Sequence, residues 1–160
     1  MKSFKVLYIC THNRCRSQLY QAVTNALGKG IVTAESAGSS PEDQVNADAV
    51  KLLQRNNIAT EHLRSKSWND VADFEPDLII TVCDSAAQEA CPLYLGGAIK
   101  AHWGLADPSH LDVPKDEKLK AFRVTVDHIN RRLDALFDLN TAAMTRAELI
   151  NAINQISHIE

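Results

Sequence analysis

A cysteine and an arginine stand six positions apart in Cys10-Thr11-His12-Asn13-Arg14-Cys15-Arg16-Ser17, between the apolar run Val6-Leu7-Tyr8-Ile9 and a helical pattern. A loop that turns into a helix N-terminus directs backbone N–H groups inward and adds the positive end of the helix dipole, forming a cradle for an anion. Arg16 contributes a planar fork suited to two oxygens of a tetrahedral oxyanion. Cys10, at the strand end, points into the same cradle. The N–H groups and the dipole there predict a thiol pKa well below that of a free cysteine, and hence a nucleophile. Ser17 can donate a hydrogen bond to that thiolate. Asn13 is one of the few non-glycine residue types that readily take the left-handed conformation a tight cradle needs. Thr11, His12, Asn13, Arg14 and Cys15 complete the oxyanion-binding loop. His12 and Arg14 are placed to tune anion affinity, whereas Cys15 reads as a packing residue at the helix start.

Cys83 closes the run Leu78-Ile79-Ile80-Thr81-Val82, which puts it at the same carboxyl edge of a parallel sheet as Cys10. Cys91 follows across Asp84 to Ala90, a segment poor in apolar bulk. Four cysteines and six histidines also raise zinc. The spacings C-x4-C and C-x7-C lack the tight C-x2-C knuckle of structural zinc sites, so redox or nucleophilic use is the better reading and no metal ligand is assigned. With no export signal in the sequence, the four thiols are expected to be reduced.

The elements that must position these groups alternate strand and helix, the pattern of an α/β domain with a parallel sheet covered on both faces. Val6 to Ile9 opens the chain. Leu19, Ala22, Val23, Ala26 and Leu27 give the first helix, with Gly28 as its stop signal. Ile31 to Ser36 is a second strand, Val45 to Arg55 a second helix, Leu78 to Val82 the central strand and Ala98 to Trp103 a fourth. Leu119, Phe122, Val126, Ile129, Leu133 and Leu136 form a core-facing stripe on a helix from about Asp116 to Phe137. From Asn140 a separate unit follows: Thr145-x-x-Glu148 is a capping box, and Leu149, Ile150, Ile153 and Ile156 share one face that packs on the same chain.

The composition excludes several classes. At 160 residues the chain is the size of one domain, and 45% hydrophobic with 23% charged residues is the balance of a globular protein. A formal net charge of −3 gives no basic footprint for nucleic acid. No apolar run approaches the roughly 20 residues of a membrane span, and the N-terminus shows no cleavage-site pattern. A cytoplasmic protein without nucleic-acid or membrane partners is expected.

The loop and its setting resemble the low-molecular-weight protein tyrosine phosphatase superfamily, whose nucleophilic loop is C-x5-R-S with an Asn three residues after the Cys. The resemblance covers roughly residues 4 to 138, through the βαβ opening, the Ser36-Ala37-Gly38 turn and Asp107-Pro108. It implies a single four-stranded parallel α/β domain over residues 1–139, with 140–160 as a helical extension of that domain. It also implies that Asp107 is the general acid, opposite the nucleophile, where expelling an oxygen from a tetrahedral oxyanion needs a proton donor.

Phosphate and arsenate are near-isosteres, so the cradle does not choose between them. The extra thiols do: water resolves a phosphatase intermediate, whereas reducing arsenate requires electrons that thiols deliver. The stretches Thr81-Val82-Cys83-Asp84 to Cys91-Pro92 and Ala101-His102-Trp103-Gly104-Leu105-Ala106-Asp107-Pro108-Ser109 resemble the arsenate reductases of this superfamily. After Asp-Pro the chain has Ser109-His110-Leu111-Asp112, where tyrosine phosphatases of the fold usually carry tyrosines. The resemblance implies that Cys10, Arg16, Asp107, Cys83, Cys91 and Ser17 carry out arsenate reduction, with phosphate and sulfate as competing oxyanions. No tightly bound cofactor is implied. The electron donor is an external thiol, either thioredoxin through a Cys10, Cys83, Cys91 relay or glutathione with glutaredoxin. A tyrosine phosphatase is the alternative function, and a non-catalytic oxyanion sensor or an interaction protein using the 140–160 helix is more distant.

Overall fold

The computed structural model describes residues 2–87 and 96–160. Four strands, β1 (Phe4–Ile9), β2 (Val32–Ala37), β3 (Leu78–Thr81) and β4 (Ile99–His102), form one sheet in the order β2-β1-β3-β4. Every pairing is parallel, with Ile9 opposite Ala37 on one side and opposite Thr81 on the other. β1 lies inside the sheet, and its residues Val6 to Ile9 are buried. This matches its all-apolar run, since a strand covered on both faces has no polar side to alternate with.

The connection from β1 to β2 runs one way across the sheet, and the connection from β2 to β3 runs back past β1. With right-handed crossovers the two connections leave the sheet on opposite faces. The carboxyl end of β1 is therefore a topological switch point, the place where open α/β sheets leave a crevice for ligands. α1 (Arg16–Gly28) packs on β1 and β2, and the 3-10 segment Trp68–Phe74 packs against β2.

α2 (Ala47–Arg55) is capped by Asn46, whose side chain accepts from the Ala49 amide. A short α3 (Asp84–Ala87) follows β3. α4 (Lys115–Phe137) buries Phe122, Val126, Ile129, Leu133 and Leu136 of the expected stripe, while Leu119, at its start, is only half-buried. α5 (Arg146–Ile156) opens with the Thr145/Glu148 capping box and packs on α4 and β4. Several expectations need adjusting at their edges: α2 begins at Ala47 rather than Val45, β3 ends at Thr81 rather than Val82, and β4 spans Ile99–His102 rather than Ala98 to Trp103. Ile31 is 73% exposed and precedes β2, which runs on to Ala37. Leu27 and Ile150 lie at the exposed margins of their helix faces. Among the described residues no helix is long and apolar enough to cross a membrane.

Candidate functional site

Residues 10–15 leave β1 and run into α1, whose N-cap position, Cys15, makes no side-chain capping bond. The first-turn amides of α1 are thus not occupied by a cap, the condition for an anion site at a helix N-terminus. Four of the loop carbonyls are taken by groups outside the loop. Thr11 O accepts from the Ser40 amide (2.9 Å), His12 O from the Glu42 amide (3.0 Å) and Arg14 O from the Asn46 amide (2.9 Å), while Asn13 O accepts from Gln18 Nε2 (2.9 Å). With these carbonyls engaged outside, the His12 amide donates inward to the Cys10 sulfur, as an amide of an anion-binding nest does.

Asn13 is the keystone of this loop. Its φ of 48° lies in the left-handed region, as expected for a non-glycine at this turn. Its side chain, fully buried, donates to Ser17 Oγ (2.8 Å) and accepts from Gln18 Nε2 (3.0 Å) and the Lys66 amide (3.0 Å). Ser65 Oγ donates to His12 O (3.0 Å), and Gln18 Nε2 also reaches Arg64 O (2.9 Å). The 64–66 segment therefore braces the loop from behind. Gly38 closes the other flank, where a Cβ would stand 2.4 Å from Thr11 O and 2.6 Å from Cys10 O.

Cys10 is 5% exposed at the base of the cradle. The His12 amide donates to its sulfur, and Arg16 is close enough to favour its ionised form. Cys83 is nevertheless its dominant neighbour. The hydrogen bond between the two thiols, followed by burial and then by charge on Cys83, pushes the Cys10 pKa up. The expectation of a lowered pKa is therefore corrected. The amides and Arg16 act in the expected direction, but a second sulfur in contact makes the two thiols compete for ionisation. Thr11 Oγ1 lies 3.7 Å from Cys83 Sγ and so joins the same cluster.

Arg16 stretches across the mouth. Its Nη1 donates to Leu105 O (2.9 Å) and its Nη2 stands 3.6 Å from Asp107 Oδ2. Its Nε is buried and has no hydrogen-bond partner among the described residues. A buried guanidinium N–H without an acceptor is uncommon, and here it lies where an anion would supply one. Asp107 accepts from the Ser109 amide (2.9 Å) and hydroxyl (2.6 Å), and His110 Nε2 is 3.2 Å from its other oxygen.

The structure thus brings Cys10, Arg16, Ser17, Cys83 and Asp107 together with Thr11, Asn13 and Cys15. Cys91 lies outside the described residues. Ser17 is paired with Asn13, one step behind the sulfur. His12 faces outward, its Nδ1 within 3.1 Å of Ser40 O. Arg14 bonds Ser109 Oγ (3.0 Å) and pairs with Glu42 (3.4 Å). Cys15 is a buried packing residue, and burial pushes its thiol up to about 12.

Sequence reasoning missed Ser109, which links Arg14 to Asp107, and Leu105, whose carbonyl holds Arg16. Ser109 carried a signal, because it stands where a bulkier residue is usual. Leu105 carried none, because it acts through its backbone.

The description of a low-molecular-weight phosphotyrosine protein phosphatase fits residues 5–149 of the chain. An arsenate reductase of Halalkalibacterium halodurans is 32% identical over 134 residues, which cover 81% of this chain and 92% of that protein. The crystal structure of an arsenate reductase from Archaeoglobus fulgidus superposes with a TM-score of 0.69 at 25% identity, over 84% of this chain and 99% of the other. A thioredoxin-dependent arsenate reductase of Corynebacterium glutamicum gives a TM-score of 0.64 at 22% identity, a likeness of fold over 84% of this chain and 62% of that one.

Proposed function

The chain belongs to the low-molecular-weight phosphotyrosine protein phosphatase family, and within it we propose that this protein is an arsenate reductase rather than a phosphatase. The observation that carries the choice is the second thiol: Cys83 is hydrogen-bonded to Cys10, the cysteine whose ionised form Arg16 favours. A phosphatase resolves its intermediate with water and has no use for a thiol against its nucleophile. Arsenate reduction needs two electrons, and two adjoining thiols hold them. The H. halodurans relative is also described as an arsenate reductase.

In the proposed reaction arsenate occupies the loop amides and Arg16, supplying the acceptor that Arg16 Nε lacks. Cys10 gives its proton to an oxygen of the bound arsenate and attacks arsenic as the thiolate, while Asp107 protonates the hydroxyl that leaves as water. Cys83 then attacks the Cys10 sulfur. A Cys10–Cys83 disulfide forms, the sulfur–arsenic bond breaks, and arsenite departs with the electron pair. The contact between the two thiols means this step needs no long approach. Cys91 attacks Cys83 next and presents a Cys83–Cys91 disulfide to thioredoxin. In the competing version glutathione attacks Cys10 in place of Cys83, and glutaredoxin clears the mixed disulfide. Residues 1–139 are the reductase domain in this reading, 140–160 are its helical extension, and the working compartment is a reducing cytoplasm.

The test is arsenate-dependent NADPH oxidation, coupled in parallel to thioredoxin with its reductase and to glutathione, glutaredoxin and glutathione reductase. Turnover with thioredoxin that is lost in Cys83→Ser supports the relay. Turnover with glutathione alone confines the chemistry to the loop and Asp107. Hydrolysis of an aryl phosphate with no arsenate turnover in either system makes the protein a phosphatase.

A further inference from the structure

Arg132, in the C-terminal part of α4, is 3% exposed. No carboxylate lies within ion-pairing distance of it among the described residues. A buried cation without a counter-ion is costly and has to be matched by well-placed dipoles. Arg132 finds four. Nε donates to Ile159 O (3.1 Å), Nη1 to Tyr20 Oη (2.8 Å) and Gly104 O (3.1 Å), and Nη2 to Ser157 O (3.3 Å). An apolar residue in this position on the α4 stripe would pack without any such requirement. What the arginine adds is a tie between three separate parts of the chain: α1, the segment after α5, and the strand exit 103–107.

The strand exit is the part that matters for the site. Trp103, fully buried, donates its indole N–H to Ile153 O in α5 (3.0 Å), and its carbonyl accepts from Tyr20 Oη (3.4 Å). Gly104 O is held by Arg132. The next residue, Leu105, offers its carbonyl to Arg16 Nη1, and Asp107 follows two residues later beside Arg16 Nη2. The backbone that aims the Arg16 fork and carries Asp107 is therefore anchored on its inner side by Arg132, Tyr20 and α5. Tyr20 stays a phenol and keeps its proton for the Trp103 carbonyl, because burial pushes its pKa up to about 12.

We infer that Arg132 is a positioning residue for the oxyanion site, acting through Gly104 and Leu105 on Arg16, and that the segment after α5 belongs to the same brace. This rests on the oxyanion reading of the Cys10–Arg16 loop. It assigns a role in the site to an arginine that touches neither oxyanion nor thiol.

The experiment measures inorganic phosphate binding by titration calorimetry, and KM and kcat for arsenate, well below the melting temperature. It compares the unsubstituted chain with Arg132→Met, Arg132→Lys and Leu133→Ala. Arg132→Met should raise the phosphate Kd and the arsenate KM on the order of 10-fold, since small displacements of a binding group have effects of that size or more. Arg132→Lys, which can still reach a carbonyl, should recover part of the loss. Leu133, fully buried one position on, makes no contact of this kind, so Leu133→Ala should lower the melting temperature and leave Kd unchanged. If Arg132→Met fails to fold, Tyr20→Phe removes the hydroxyl between Arg132 and the Trp103 carbonyl and should weaken phosphate binding in the same sense. Unchanged Kd in the Arg132 and Tyr20 variants, or an equal rise in Leu133→Ala, overturns the inference. Failure of the unsubstituted chain to bind phosphate overturns the oxyanion reading itself and this inference with it.

Discussion

The two halves of the site are held by different forces. The Cys10–Ser17 half is set by buried neutral hydrogen bonds: the Asn13 amide to Ser17, Gln18 and Lys66, and loop carbonyls to the Ser40, Glu42 and Asn46 amides. The Asp107 half is set by contacts to its carboxylate nearer the mouth: Arg16 at 3.6 Å, His110 at 3.2 Å, and the Ser109 hydroxyl that also meets Arg14. Buried neutral networks define one geometry, because each missing partner leaves a polar group unsatisfied. The His110 contact, on a side chain 74% exposed, is weak, screened by salt and easily remade. The nucleophile side is accordingly a preformed template, and the acid side is an arm whose backbone is anchored and whose side-chain contacts at the mouth are adjustable.

The sharpest break between the halves should come from one substitution on each. Cys10→Ser should abolish arsenate turnover and aryl phosphate hydrolysis alike while keeping phosphate binding. Asp107→Asn should lower kcat by roughly 10²–10⁴, the range of general acid catalysis, with the phosphate Kd little changed. Steady-state kinetics beside calorimetric titration reads both. A loss of phosphate binding in Asp107→Asn as large as its loss of kcat would merge the two halves into one binding unit.

Next in size is Gly38→Ala. The new methyl group would meet Thr11 O and Cys10 O at under 3 Å, and both are backbone atoms of the template. Overpacking of this kind costs about 1–3 kcal/mol. Thermal unfolding should show the loss, and phosphate affinity should fall because the loop itself moves. A substitution of similar reach on the arm, Ser109→Ala, should leave the melting temperature nearly unchanged and lower kcat by only a few-fold.

A third test concerns the sulfurs. Cys83 is the largest cause of the raised Cys10 pKa, while Arg16 and the His12 amide pull the other way. Removing the competing thiol should let the template's own field prevail. In Cys83→Ser the pH profile of Cys10 alkylation by iodoacetamide should shift toward lower pH, with faster labelling near neutrality than in the unsubstituted chain. A profile that does not move would mean that burial, and not the second thiol, governs Cys10.

The template was largely legible in the sequence and the arm much less so, for the same physical reason. Cys10, Asn13, Arg16 and Ser17 are neighbours along the chain, so residue type and spacing carry the strand-loop-helix geometry that makes the cradle. β1, β3 and the α4 stripe were equally plain, since their apolar periods depend on burial alone. Asp107 was found only by family resemblance, because an Asp-Pro pair by itself is an ordinary turn. The bracing at Lys66 and Leu105 involves backbone atoms from distant parts of the chain, and such contacts leave no mark on residue type. The raised pKa of Cys10 was misjudged because it depends on the contact with Cys83, 73 positions away, which only the β1–β3 pairing creates.

The smallest effect belongs to His110, and it probes the arm alone. Its Nε2 is 3.2 Å from Asp107 Oδ2, yet the side chain is 74% exposed, and a contact so open to water is heavily screened. His110→Ala should therefore change kcat by less than about 5-fold, the equivalent of an exposed pair's worth of at most about 1 kcal/mol. It should leave the phosphate Kd and the melting temperature unaltered, because none of the template's hydrogen bonds involves it. Whatever difference it makes at low ionic strength should vanish in high salt, since a screened charge contact disappears where a buried hydrogen bond persists. A salt-independent loss in kcat would mean that His110 orients Asp107 as part of a fixed network, and the arm would then be as preformed as the loop it faces.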